Sequence, residues 1–185
     1  MGLPKPYVEL IISLSGVHLW RADASSPPLT YCDGWLTPLQ VKPRWAETLG
    51  ELHLIGARLH LFTAARLFGA AAMRAGGFPI PLDAILGSAA NELRERLLHM
   101  YSDGDRMKLL AHWLETQLDH SDAGWLPQSS ELSSTGWRTD ALAEMLQLSP
   151  RALRKRFASK VGLSPKLWLQ LNRFDEFLRA EPADR

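Results

Sequence analysis

Apolar and polar positions follow two different periods along this chain, and the change of period divides it. Residues 7–20, YVELIISLSGVHLW, alternate, with Val8, Leu10, Ile12 and Leu14 on one face, which predicts one or two β-strands with a turn or bulge at Gly16. TYC and WLTPLQV, set off by residues 25–28 and by Asp33-Gly34, predict two further short strands. Residues 52–62, LHLIGARLHLF, alternate again, with Ile55, Ala57, Leu59 and Leu61 opposite Leu52, Leu54 and Gly56. Together these segments predict a small antiparallel sheet or part of a barrel.

From Ala64 onward the period is helical. Residues 64–73 predict a short alanine-rich helix closed by Gly76-Gly77, followed by an extended piece at Pro79 and Pro81 and a helical turn over residues 83–86. Ser88 is the expected cap of a helix with Ala90, Leu93, Leu97 and Met100 as its apolar stripe. SDGD breaks that pattern, and a second helix over residues 106–118 carries Met107, Leu110, Ala111, Leu114 and Leu118. Such a pair either covers an open sheet face or forms a seam with a second copy. Residues 121–136, rich in serine and glycine, read as a linker.

Beyond it the pattern tightens into three short helices. Thr139 or Asp140 can cap the first, with Leu142, Met145 and Leu146 apolar. Ser149-Pro150 starts the second and Gly162 stops it; Ser164-Pro165 starts the third. Two short helices joined by a tight turn are the geometry that lays the second into a major groove. At 100° per residue, Leu153 and Phe157 share the inner face of the second helix, while Arg151, Lys155 and Ala158 point outward with Arg154 and Arg156 on the flanks. An arginine fork matches the two acceptors of guanine, and its charge is attracted to phosphate.

Charge changes the weight of that reading. Of 21 basic and 20 acidic residues, eight and two fall within residues 138–173, so the remainder carries 13 and 18. The overall charge of +1 conceals a basic module beside an acidic one. The 46% hydrophobic content is enough for a packed core. One cysteine, Cys32, excludes an internal disulfide and suits a reducing compartment, with a buried apolar role expected for it. The apolar run over residues 57–73 is interrupted by Arg58, His60 and Arg66, so no spanning or targeting segment is expected, and the localisation expected is cytoplasmic.

The segment ALAEMLQLSPRALRKRFASKVGLSPKLWLQLNRFDEFLR resembles the first helix-turn-helix and linker helix of the bacterial AraC-type (AraC/XylS) transcriptional regulators. Ala143, Ser149, Leu153, Phe157, Gly162, Ser164, Pro165, Lys166, Arg173 and Phe174 stand at the positions of that family's pattern. PYVELIISLSG, GARLHLFTAARLFG, FPIPLDAILG and ELRERLLHM are similar to the sensory half of a subgroup whose N-terminal domain is cupin-like.

The resemblance implies an α+β chain in three parts. Residues 1–120 would be a partial cupin-like sensory and dimerisation domain, residues 121–138 a linker, and residues 139–185 one helix-turn-helix with its linker helix. It implies Arg151, Arg154 and Lys155 as base contacts, and Leu153, Phe157 and Phe174 as core. Ser149, Arg156, Lys160 and Lys166 are expected on phosphates.

Double-stranded DNA is the expected partner, with a small-molecule effector in the N-terminal part and self-association or pairing with a related regulator. The family's second helix-turn-helix and earliest strands have no counterpart here, so the chain reads as a shortened member. The rival expectation is an interaction protein that pairs with a complete regulator and binds DNA weakly. The last helix, with Leu167, Leu171, Phe174 and Leu178 in a stripe and Trp168 beside it, offers an uncovered surface for such pairing.

No catalytic chemistry is expected. Glu51 and His53 share a strand face near His18 and His60, but there is no His-x-His pair, and a cupin-like metal enzyme ranks third; neither metal nor cofactor is expected. Asp119, His120, Ser121 and Asp122 are adjacent on a helix end, which cannot form the hydrogen-bond relay of a hydrolytic triad. Trp20, Trp35, Trp45 and Trp113 lie in apolar patterns and read as core, and Trp137 as a cover for the helix pair.

Overall fold

The computed structural model describes residues 4–73, 77–118 and 138–180. The expected linker, Trp137 and the residues from Asp119 to Asp122 lie outside the described residues. The architecture is mixed α/β, a curled antiparallel sheet with helices packed on it. Its centre is β1, Tyr7–Arg21, one strand rather than two. On one side β1 pairs along its length with β4, Trp45–His60. On the other it pairs with β2, Leu29–Tyr31, and with β3, Gly34–Thr37, to which β5, Ile80–Pro81, adds an edge.

Gly16 is where β1 departs from regular pairing. Its φ of 82 lies in the left-handed region, a Cβ there would stand 2.6 Å from the Glu51 carbonyl oxygen, and the register with β4 shifts on either side of Ser15. Only glycine accepts both the dihedral and the close approach, so the bulge sits where the residue permits it. Val8, Leu10 and Ile12 are fully buried on the face predicted for them.

The helices cover this face. α1, Leu61–Met73, continues directly from β4 and is kinked at Gly69. It begins three residues earlier than the alternation suggested, so Phe62 is helical. After α2, Asp83–Leu86, α3 spans Ser88–Leu98 and buries Ala90, Leu93 and Leu97 against β1. Ser88 is the first helical residue rather than the cap: α2 runs into α3 through Gly87 at φ 60, which holds the cap position itself.

α4, Asp103–Gln117, packs on β4. SDGD, expected as a break, begins this helix: Ser102 Oγ accepts the Asp105 amide at 3.2 Å and donates to its carboxylate at 2.7 Å. The buried face is therefore Leu110 and Trp113, with Met107 and Ala111 exposed. Between the two uses expected for α3 and α4, these contacts show the covering of the sheet.

Three helices complete the described chain: α5, Thr139–Met145; α6, Pro150–Lys160; and α7, Pro165–Ala180. Their apolar residues Leu142, Leu153, Phe157, Val161, Trp168, Leu169 and Leu171 join the same cluster as Val8, Leu10 and Leu61. The junction is aromatic. Phe62 meets Phe157 edge-on at 5.5 Å between ring centroids and Trp168 at 5.1 Å, and His60 meets Trp168 edge-on at 5.9 Å.

Four expectations are overturned by burial. Cys32 is exposed because it sits on the turn between β2 and β3, not on a strand face. Trp45 is 43% exposed because it opens β4 at the rim of the sheet. Trp168 is fully buried rather than part of an open stripe, and Phe174, expected in the core, is 36% exposed. α7 is thus buried through Leu171 and open at Phe174, Phe177 and Leu178.

Candidate nucleic-acid interface

The candidate interface is built on α6. Ser149 Oγ accepts the amide of Ala152 at 3.2 Å, Pro150 occupies the first helical position, and the amides of Val161 and Gly162 both donate to the Phe157 carbonyl at 2.9 Å. Gly162 follows at φ 80, the left-handed conformation that closes the helix. Both ends are fixed by the residues that signalled them.

The turn that sets α6 against α5 holds a feature the sequence did not announce. Leu148 N–H donates to the Ala143 carbonyl at 2.8 Å and Gln147 N–H to that of Glu144 at 2.9 Å, the pair of bonds that ends a helix with a left-handed residue. That residue is Gln147, at φ 52. It carries a Cβ where glycine would be unstrained, so nothing in its type marked it.

α5 itself starts without a side-chain cap: Arg138, not Thr139 or Asp140, holds the cap position. Asp140 is engaged instead by Arg138, whose Nε donates to Oδ1 at 3.1 Å while a terminal nitrogen binds Oδ2. These bonds, helped by the Ala141 amide, hold the Asp140 carboxyl down at about 2. Arg138 thereby spends its charge within the chain.

The faces of α6 separate as the period requires. Leu153 and Phe157 are fully buried. Arg151, Arg154, Lys155, Arg156 and Lys160 are exposed, as are Ser149 at the start of the helix and Lys166 on α7. Arg151, Arg154 and Lys155 form no hydrogen bond or ion pair among the described residues. Arg156 and Lys160 do have partners within the chain, which separates them from the other three. α6 therefore presents at least three cations without a carboxylate among the described residues, Arg151 and Lys155 opposite its apolar anchor and Arg154 on its flank, and its phosphate-contact candidates run from Ser149 at its start through Arg156 and Lys160 to Lys166 on the next helix.

The other polar side chains considered from sequence are dispersed. His53 Nε2 stands 3.0 Å from Asp103 Oδ1 on α4. His18 stacks on Trp35 at 5.2 Å with ring planes 5° apart. His60 is set against Trp168 and Phe62, and burial lowers its pKa, as it does that of His18. Among the described residues no three His, Cys, Asp or Glu side chains lie close enough together to share a metal ion. No described helix is long and apolar enough to cross a membrane. No family model, curated protein or solved structure matches the chain.

Proposed function

We propose that the chain is a sequence-specific DNA-binding regulator of the AraC type. In this reading α5 and α6 form its helix-turn-helix, and the curled sheet forms a cupin-like sensory half of a cytoplasmic protein. The observation that carries the reading is the exposed set of Arg151, Arg154 and Lys155, outward and on the flank of a helix whose ends and inner face are fixed. A guanidinium or ammonium left without a carboxylate gains little for folding, whereas in a major groove it meets guanine O6 and N7 or a phosphate. Arg151, Arg154 and Lys155 contact base edges; Ser149, Arg156, Lys160 and Lys166 set register on phosphates.

One observation favours a second reading, pairing with a related regulator. Phe174, Phe177 and Leu178 are exposed together on the C-terminal half of α7. One helix-turn-helix has a small interface, and tight specific binding ordinarily requires a second unit.

Selection of bound duplexes from a random-sequence pool at near-physiological salt tests the two. An enriched motif is the expected result, and its repetition at one helical turn would indicate a dimer. Salt-sensitive retention without enrichment would overturn specific readout and leave the pairing role.

A further inference from the structure

A cavity of about 130 Å³ opens between the β2–β3 turn and the start of α3, away from α6. This is well below the several hundred Å³ of a drug-sized site, so an occupant would be small. Its floor is apolar, formed by Ile12, Leu82 and Ala90. Its polar groups are of both signs. Arg94 lies on one wall, and Asp33 and Asp83 also line the space, with the Asn91 amide beside them.

Arg94 is held by one side of its guanidinium. Nε donates to the Ser13 carbonyl at 2.9 Å and stands 3.6 Å from Asp33 Oδ1, and its side chain is 23% exposed. Its two terminal nitrogens make no hydrogen bond among the described residues, so the fork that would grip a carboxylate is fixed in place and unoccupied by the chain. Asp83 uses one carboxylate oxygen on the Ala84 amide at 2.8 Å and pairs with no cation among the described residues. A bare anion in this space would meet two carboxylates, and a bare cation would meet the guanidinium. A molecule carrying both charges can pair with the Arg94 fork and with Asp83 at once.

We infer that this cavity binds a small zwitterion of the α-amino-acid class, its carboxylate on the terminal nitrogens of the Arg94 fork and its ammonium on Asp83, with Asp33 staying paired to Arg94 Nε. The site is independent of the DNA-binding reading, since it shares no residue with α6.

Cys32, the one cysteine of the chain, is exposed and lines the same cavity, so it reports occupancy directly. The test is the rate at which the neutral reagent iodoacetamide alkylates Cys32 in the full chain, with millimolar L-alanine or L-serine, and with propionate or ethylamine as single-charge controls. The amino acids are expected to slow alkylation in a saturable way, with about tenfold slowing once their concentration is ten times Kd. The single-charge controls should leave the rate unchanged. Asp83→Asn keeps the acceptor for Ala84 and removes the charge, and should raise the amino acid concentration needed by about tenfold. Arg94→Lys should do the same, and if it fails to fold Asp83→Asn decides alone. Absence of protection, equal protection by propionate or ethylamine, or full protection in Asp83→Asn would each overturn the assignment.

Discussion

The two halves of the molecule treat their cations differently. In the sheet half Lys5 and Arg58 face Glu9, Arg21 faces Glu47, Arg94 faces Asp33, Arg106 faces Asp103 and Lys108 faces Asp105. On α6, Arg151, Arg154 and Lys155 face no carboxylate among the described residues. Yet the two halves share one apolar cluster through Phe62, Phe157 and Trp168. Stability is therefore common property, while cations without a carboxylate among the described residues are concentrated on α6, against only scattered ones such as Lys42 and Arg96 in the sheet half. Folding and binding should respond to different substitutions.

The sharpest way to break the comparison is to attack what is shared. Trp168→Ala removes a fully buried indole from the junction and should cost about 3–5 kcal/mol. Urea unfolding followed at once by far-ultraviolet dichroism and tryptophan fluorescence should keep a single transition at lower midpoint. Two transitions, with only the helical one displaced, would mean that the halves fold separately.

Next comes the charged face. Arg154→Ala should weaken binding to a selected duplex by roughly 1–3 kcal/mol and relax its sequence preference, while stability moves by less than about 0.5 kcal/mol. Lys166→Ala should weaken matched and mismatched duplexes alike. Equal losses for both variants on both kinds of duplex would erase the distinction between reading and register.

A smaller effect is predicted at the turn. Gln147→Gly relieves a left-handed residue at φ 52 and should stabilise the chain by up to about 1 kcal/mol, read as a higher urea midpoint. A decrease would mean that the Gln147 side chain contributes more than its backbone costs.

The smallest concerns His60. Burial places its folded pKa below 6.5, so between the two values the unfolded chain binds more protons. Its contribution to stability is complete above pH 6.5 and is lost as pH falls from there through the folded value. The urea midpoint should fall on acidification across this window, and the slope should flatten in His60→Gln. An unchanged slope would place the titration on His18 or elsewhere.

Much of this was legible because single residues act locally. Alternation placed Val8, Leu10 and Ile12 on the inner face, and Ser149, Pro150 and Gly162 bracketed α6 before any tertiary contact was known. What escaped depends on neighbours distant in sequence. The first half of β4, WAETLGE, has no apolar alternation because it is paired to β1 but largely exposed. Trp168 lies in the stripe of an amphipathic helix whose cover, Phe62, is more than a hundred residues away. The Arg94 fork was unmarked because an arginine on a helix ordinarily reaches solvent, and only folding brings it to Ser13 and Asp33.

The aromatic junction also bears on portability. A helical unit that owned its whole core could be cut out and joined to another scaffold. Here Phe157 and Trp168 are completed by Phe62, and Trp168 by His60, two residues from the other half. A graft of α5 to α7 onto a foreign scaffold would arrive with an aromatic socket missing its plug, and chimeras of this chain should carry the end of β4 and the start of α1 with the helices they support.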